Sequence, residues 1–302
     1  MPQFWLVPLI ARLARFLAAC VTGIWESSGD RAVRTEAERA AALAASPLQE
    51  VQALAHVPPC VRRYLERVAV GSDQFLVVKG KQVGEFCLNL GGPWQRMTAT
   101  QCTSPLVPAF CWTARCGFMP PLLWLTGNDS LADGRGAMQW RLWGWLPSLS
   151  VSGPELDRAM LVRWLAETPT TPRAMLPSAT LRWESVPGSS CEARAVLTHR
   201  GISVSGNFGF SGDGLVSSFH SDDCVRALAS GGTERTPWVV RYREYKQLAL
   251  VIDMRLSGSS GRSKGLSAGQ VFVPTVFEAA WMQPDGTEQA YVRCRLTGLA
   301  AA

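Results

Sequence analysis

The sequence predicts a mainly β protein of the α+β class, an antiparallel up-and-down sheet carrying a few packed helices. From Phe75 onward, short runs rich in β-branched and aromatic residues alternate with turn signals. Turns such as Gly91-Gly92-Pro93, Pro187-Gly188 and Pro284-Asp285-Gly286 are too short to join parallel strands. No G-x-G-x-x-G follows a strand and opens a helix, so the pattern does not support a dinucleotide-binding fold.

The chain divides into three segments. Residues 1–30 form an apolar or amphipathic N-terminal segment, residues 31–70 a helical lead-in, and residues 71–299 a single β-rich domain. With 302 residues, of which 47% are hydrophobic and 18% charged, the chain can bury a substantial core.

The N-terminal segment contains an apolar stretch, residues 4–25, that carries Arg12 and Arg15 near its middle. Central arginines make a poor membrane span, so the stretch is typical of a peripheral amphipathic helix or a degraded anchor. A lipoprotein cleavage box at Leu17–Cys20 and an organelle-type presequence are the alternatives. We therefore expect peripheral membrane contact through residues 4–25.

The helical lead-in contains two predicted helices. Residues 31–46 are alanine-rich and charged, which favours a helix. After Pro58-Pro59, Val61, Leu65 and Val68 recur at helical spacing and predict a buried stripe.

The β-rich domain is predicted to contain strands separated by explicit turns. The strands are expected at residues 75–90, 94–103, 108–118, 136–146, 180–186, 191–198, 202–210, 214–220, 237–243, 271–281 and 288–298. Asp133-Gly134-Arg135-Gly136 is read as a turn that leads into a strand, with Pro147 ending that strand.

One helix, residues 152–167, interrupts the strands. Ser152 and Glu155 have capping-box spacing, and Glu155 and Asp157 suit the positive end of the helix dipole. Its apolar stripe consists of Leu156, Met160, Leu161, Trp164 and Leu165. Residues 249–270, rich in Gly and Ser, predict an inserted loop.

Charge and cysteine usage exclude several classes of function. The net charge is +6, and the arginines are scattered rather than gathered on one face, so no nucleic-acid partner is expected. The nine cysteines contain no C-x-x-C pair, which is typical of reduced thiols inside the cell. No ligand cluster has metal-binding spacing, and no cofactor is expected.

Several motifs in order resemble one bacterial family of unknown function. They begin with Val57-Pro58-Pro59-Cys60-Val61-Arg62-Arg63-Tyr64-Leu65 and continue through Gly92-x-Trp94, Ala99-x-Gln101, Pro108-x-Phe110-x-Trp112, Asp133-Gly134-x-Gly136, Gly153-Pro154-Glu155-Leu156-Asp157, Thr236-Pro237-Trp238 and Val273-Pro274-Thr275. The resemblance covers about residues 54–299. It implies no reaction. The layout is similar to the lipoprotein-carrier type of half-barrel, a curved sheet that holds helices against its concave face, and this implies a curved sheet here.

Catalytic interpretations find little support in the sequence. None of the three histidines, at positions 56, 199 and 220, stands in a nucleophile elbow. Glu85, Asp129, Asp133, Glu155 and Asp157 are candidate carboxylates, but helix capping and turn formation explain three of them.

The ligand-binding hypothesis depends on strand faces. Alternation places Phe110 and Trp112 on one face of a strand, Met138 and Trp140 on one face of another, and Phe208 and Phe210 on a third. Such faces build a core in any antiparallel protein, and they line a cavity where a curved sheet does not close on itself.

Three functional hypotheses remain open. The first is a non-catalytic module that binds an apolar or amphipathic, lipid-like molecule near a membrane. The second is an enzyme with Asp133, Arg135 and Arg163 as polar residues at the rim of the same pocket. The third is an interaction scaffold without a pocket.

Overall fold

The computed structural model describes residues 28–41, 54–68, 75–119, 123–227, 232–252 and 267–301. The apolar stretch 4–25 and most of the predicted loop 249–270 lie outside these ranges. No helix within them is both long and apolar enough to cross a membrane.

Strands dominate the described residues. Their bounds are β1 Val78–Cys87, β2 Trp94–Thr103, β3 Phe110–Met119, β4 Leu123–Ala132, β5 Arg135–Leu142, β6 Leu146–Ser152, β7 Leu181–Ser185, β8 Glu192–His199, β9 Ile202–Phe210, β10 Val216–Ser221, β11 Val225–Ala227, β12 Thr233–Arg235, β13 Trp238–Ile252, β14 Ser267–Met282 and β15 Glu288–Ala301.

Three helices accompany the strands in the described ranges. Helix α1 occupies residues 28–41, α2 Pro59–Arg67 and α3 Pro154–Glu167. Two short 3₁₀ helices, Thr168–Thr170 and Pro172–Met175, follow α3. Both begin with or contain proline, which explains why the chain turns here instead of continuing the α-helix.

Among the described residues, thirteen strands form one sheet in the order β6-β5-β4-β3-β2-β1-β15-β14-β13-β10-β9-β8-β7. Neighbours along this order are antiparallel, while the far end of β13 also pairs in parallel with β15. Strands β11 and β12 form a separate hairpin. The predicted antiparallel up-and-down sheet is confirmed.

The sheet is strongly curved. Helix α3 contacts both β5 and β9, the second and eleventh strands in the order. In a flat sheet nine strand spacings would separate them by roughly 43 Å, whereas a helix is only about 10–12 Å wide. One helix touches both only because the sheet curls around it, and α3 therefore lies on the concave face.

Contacts between hairpin turns join the two halves of the curl. Arg200, in the β8–β9 turn, places Nη2 2.5 Å from Asp133 Oδ1 in the β4–β5 turn. Glu36 of α1 accepts a hydrogen bond of 2.6 Å from the Asp133 amide. His199 Nε2 lies 3.3 Å from Glu36 Oε1. Helix α1, the β4–β5 turn and the β8–β9 turn therefore meet, although they are distant along the chain.

Two features between residues 123 and 152 differ from the sequence-based expectations. No strand was predicted at β4, and Pro147 was expected to end the strand that follows the Asp133 turn, but β4 forms and Pro147 lies within β6. Gly127 of β4 is required because an added Cβ would collide with the Trp140 ring. Pro147 is tolerated because β6 is the edge strand of the sheet.

The predicted capping box of α3 is also wrong. Ser152 ends β6, the N-cap is Gly153 with φ 119°, and no side chain caps the helix. Asp157 instead accepts a hydrogen bond of 2.6 Å from the Gly136 amide. The carboxylate therefore joins α3 to β5.

The main core lies on the concave face. The predicted stripes of α2 (Val61, Leu65 and Val68) and of α3 are buried, which confirms them. Helix α3 also buries Ala159, Val162 and Ala166, so it is surrounded by protein on most sides. Helix α1 instead packs Val33 and Ala37 in a smaller cluster over the convex face.

Candidate functional site

A cavity of about 340 Å³ lies on the concave face between α3 and two groups of strands, β1 with β3–β6 and β13–β15. Its volume is at the lower end of the range of about 300–1,000 Å³ typical of small-molecule pockets. The lining is mainly apolar and includes Phe86, Trp112, Trp140, Trp238, Trp281 and Tyr291. Hairpin β11–β12 contributes Val225 and Arg226.

The aromatic rings form a continuous wall. Phe86 lies 5.2 Å from Trp140 and 6.0 Å from Tyr291 between ring centroids, and Tyr291 stacks on Trp281 at 5.4 Å. These rings come from β1, β5, β14 and β15, which the curl of the sheet brings around one space. The Tyr291 hydroxyl accepts a 3.1 Å hydrogen bond from the Trp238 indole. The wall therefore offers broad apolar contact with few polar groups.

A buried ionic cluster forms the polar part of the lining. Arg163 of α3 donates from Nη1 to Asp129 Oδ2 at 2.6 Å and from Nε to Glu167 Oε1 at 3.0 Å. Its guanidinium carbon lies 5.0 Å from the Phe110 ring centroid and 4.8 Å from the Trp112 centroid. The aromatic stacking and the two carboxylates hold the cation in one orientation.

Two glutamines extend this cluster along β1 and β2. Gln101 donates to Glu167, and Gln82 accepts a 3.0 Å hydrogen bond from the Trp112 indole. Gln82 and Gln101 are themselves joined at 3.4 Å. This chain of hydrogen bonds fixes the Trp112 ring that lines the cavity.

The pKa values of Asp129 and Arg163 are both raised, but for different reasons. Burial raises the pKa of Asp129 above its ordinary value, although Arg163 opposes the shift. Burial by itself lowers the pKa of Arg163, but Glu167 and Asp129 raise it above the ordinary guanidinium value. Arg163 is therefore always charged. Asp129 Oδ1 is buried without a hydrogen-bond partner among the described residues.

Two of the three thiols that line the cavity, those of Cys224 and Cys294, are unreactive. Burial raises the pKa of both Cys224 and Cys294 to about 12, so both are protonated at neutral pH. Within the described ranges, no group of three or more metal-ligating side chains comes together. The charged side chains of the lining are those of the Arg163, Asp129 and Glu167 cluster together with Arg226.

The structure brings four of the residues predicted for the site to the cavity: Trp112, Met138, Trp140 and Arg163 line it.

The other three aromatic residues predicted for the site belong to the solid core. Phe110 lies beneath Arg163. Phe208 packs between Trp183 and Phe219, and Phe210 packs against Tyr64.

The predicted polar rim is not assembled. Asp133 and Arg135 have side chains that are 66% and 82% exposed, and they pair with Arg200 and Asp157 respectively. Neither lines the cavity with Arg163. The three rim residues of the enzyme hypothesis are therefore not gathered around one pocket.

Sequence reasoning missed Glu167 and assigned no role in the site to Asp129. The signal for Glu167 was its i,i+4 spacing from Arg163 in the second half of the helix, residues 159–167, which is otherwise apolar. Asp129 lay in a segment whose Gly-Asn-Asp composition favours turns.

Apolar turns lie at one edge of the sheet beside the cavity. Leu88 and Leu90 of the β1–β2 turn line the cavity. Because β1 to β6 are successive antiparallel neighbours, the β5–β6 turn lies at the same edge of the sheet. It carries Trp143 stacked on Trp145, and Trp145 and Leu146 are 48% and 40% exposed.

Comparisons with known proteins give a family but no activity. A family model described as "Family of unknown function (DUF6544)" matches residues 46–254, more than half of the chain. No curated protein matches the sequence. The chain is similar to a crystal structure of a domain ascribed to outer membrane lipoprotein sorting in Vibrio parahaemolyticus. That match has 8% identity and a TM-score of 0.36, and it covers 80% of this chain and 91% of that one.

Proposed function

Because the chain belongs to this family of unknown function, no reaction comes with its membership, and we propose that it binds one small apolar or amphipathic, lipid-like molecule without catalysis. The observation that carries this proposal is the aromatic-walled cavity of about 340 Å³ on the concave face.

The wall supplies the affinity. An n-octyl chain, which we use as a probe, buries about eight carbon groups at about 0.8 kcal/mol each, or roughly 6 kcal/mol. Association costs of at least about 4 kcal/mol offset part of this gain. About 2 kcal/mol remains, and contacts with about three rings at about 0.5–1.5 kcal/mol each raise the total to roughly 4–6 kcal/mol, so the expected dissociation constant lies between about 1 mM and about 30 μM.

The exposed β5–β6 turn at the same edge of the sheet supports binding near a membrane. Exposed Trp145 and Leu146 present apolar surface at the edge of the sheet where Leu88 and Leu90 line the cavity. Tryptophan suits the boundary between lipid and water, since its ring is apolar while its indole N–H donates a hydrogen bond. Contact through residues 4–25 remains a prediction. A ligand would then pass directly between the bilayer and the cavity.

Isothermal titration of the full-length protein with n-octanol tests the proposal. Binding of one equivalent is expected. Ala159→Leu places a larger side chain on the lining of the cavity and should weaken binding about ten-fold or more, since it occupies ligand volume.

Ala137→Leu is the matched control. Ala137 precedes Met138 on β5, so its side chain points to the other face of the strand and should leave the affinity unchanged. Equal loss in both variants, or no binding by the wild type, would contradict the proposed function.

A further inference from the structure

We propose that the ligand of this cavity carries an organic ammonium group that donates a hydrogen bond to Asp129, an inference that rests on the proposed function. Its apolar part would then lie along the wall formed by Phe86, Trp140 and Tyr291.

The first observation is the unsatisfied oxygen of Asp129. The residue is only 4% exposed and lines the cavity. Oδ2 is held by Arg163, whereas Oδ1 makes no hydrogen bond of normal geometry within the described residues, although the nearby Trp140 indole N–H helps to lower the pKa of Asp129. A buried carboxylate oxygen without a donor is costly, so a ligand that supplies a donor there gains that free energy.

The second observation is the charge of the cluster. Two carboxylates, Asp129 and Glu167, share one guanidinium, that of Arg163. Arg226 also lines the cavity, and its Nη2 is bonded to Glu234 at 2.7 Å, while its Nε is buried without a hydrogen-bond partner among the described residues; it is not among the groups whose charge shifts the pKa of Asp129. An anionic group beside Asp129 would meet two like charges. A hydroxyl would supply a donor but no charge, and an ammonium supplies both.

The third observation is the aromatic surroundings of Asp129. Trp112 on β3 is its directly paired cross-strand neighbour but already stacks on Arg163, which leaves Trp140 and Phe86 as the rings that could meet a ligand cation. Trp140 and Phe86 line the same cavity and lie 5.2 Å apart between ring centroids. The faces of such rings attract cations, most strongly where water is excluded. The Asp129 carboxylate and the aromatic rings beside it therefore both favour a ligand that carries a positive charge.

The titratable groups around Asp129 come from three elements. Arg163 and Glu167 project from α3, Cys116 from β3 and Tyr291 from β15. Burial keeps Cys116 and Tyr291 neutral by raising the pKa of each, so Arg163 and Glu167 are the groups that can carry charge beside it. Because the pKa of Asp129 is also raised by burial, an ammonium should bind more tightly as the pH rises through that pKa.

Titrations of the full-length protein with n-octylamine, n-octanol and n-octanoate test this inference, because the three probes share a chain and differ in the polar group. We expect n-octylamine, as its ammonium, to bind about ten-fold more tightly than n-octanol, with n-octanoate weakest. Asp129→Asn should abolish the preference for n-octylamine and change the affinity for n-octanol by less than about three-fold.

Asp133→Asn is the matched control, since Asp133 lies four positions away on the same hairpin with its side chain 66% exposed, and it should leave all three affinities unchanged. If Asp129→Asn does not fold, the order of the three affinities in the wild type and their pH dependence still decide the question.

The outcomes separate the two proposals. Binding of n-octanol without any preference for n-octylamine, or a preference that survives Asp129→Asn, would overturn the ammonium assignment alone. Failure of all three probes to bind would overturn the proposed function and this inference with it.

Discussion

The two ends of the concave face carry similar aromatic loads but differ in packing. At the filled end, Phe208 contacts both Trp183 and Phe219, and Tyr64 contacts Phe210; Tyr64, Phe208 and Phe219 are fully buried. At the open end, the rings of Phe86, Trp112, Trp140, Trp281 and Tyr291 surround a cavity.

The opposing helices explain the difference. At the filled end, α2 inserts Tyr64, whose ring centroid lies 6.1 Å from that of Phe210. At the open end, α3 presents the small Ala159 and the charged Arg163. Strand alternation determines which side chains face inward. Whether the space in front of them is filled depends on what the opposite element supplies.

The largest effect is expected from breaking the ionic cluster of the open end. Arg163→Met leaves Asp129 and Glu167 without their shared cation, and it should lower the free energy of unfolding by about 3–5 kcal/mol. Urea denaturation measures this change. Arg135→Met, at a side chain that is 82% exposed, should cost less than about 1 kcal/mol. Similar losses in both variants would show that the cluster has no special role in the open end.

Truncating an aromatic ring should cost more stability at the filled end than at the open end. Phe208→Ala should cost about 3–5 kcal/mol of unfolding free energy, because Phe208 is fully buried and its loss creates a new cavity. Phe86→Ala removes a half-buried ring that already borders open space, so a smaller loss of about 1–2 kcal/mol is expected. An equal or larger loss at Phe86 would mean that the open end is as well packed as the filled end.

Enlarging an alanine should sharpen the same contrast. Ala195→Leu inserts three carbons into the filled core, where the residue is fully buried, and should cost about 1–3 kcal/mol. Ala159→Leu extends over the cavity and should change the stability by less than about 1 kcal/mol. Thermal unfolding of the two variants in parallel checks the difference, and overpacking at both positions would contradict it.

The smallest effect is the pH dependence of stability at Asp129. Because burial raises its folded-state pKa above the ordinary value of 3.8, its contribution to stability is fully present below that pH. The contribution is lost as the pH rises through the folded-state pKa. Asp129→Asn does not titrate, so the unfolding free energy of this variant relative to the wild type should increase over that pH window.

Asp213→Asn provides a control of opposite sign. A hydrogen bond from Ser211, supported by Arg67, lowers the pKa of Asp213. Its contribution is therefore present above pH 3.8 and is lost as the pH falls through the lowered value. Chemical denaturation across an acid pH series measures both variants, and the same direction in the two would contradict the assignment.

Much of the fold could be predicted because strand periodicity and turn chemistry are local properties. Strands β2 and β9 were predicted with their observed bounds, and the Asp133-Gly134 turn was confirmed by positive φ angles of 52° and 73°. Strand β4 could not be predicted, because its Gly127, Asn128 and Asp129 are compatible with a strand only through distant partners: the Trp140 ring, Thr113 and Arg163.

The candidate site was only partly predictable for a related reason. Alternation placed Trp112, Met138 and Trp140 on the inner face, and these residues line the cavity. It placed Phe208 on an inner face equally well, although that residue packs in the filled end. Whether such a residue lines a cavity or fills the core depends on the curvature of the sheet and on the helix opposite each strand. Neither property can be predicted from a local sequence pattern.

A crystal structure of the full-length protein grown with n-octanol tests the central claim most directly. We expect density for one alkyl chain between Trp140 and Trp281 on the concave face, and no such density in Ala159→Leu crystals grown in the same way. Density that lies only outside this cavity, or that persists in the variant, would contradict the assignment of the open end as a binding site.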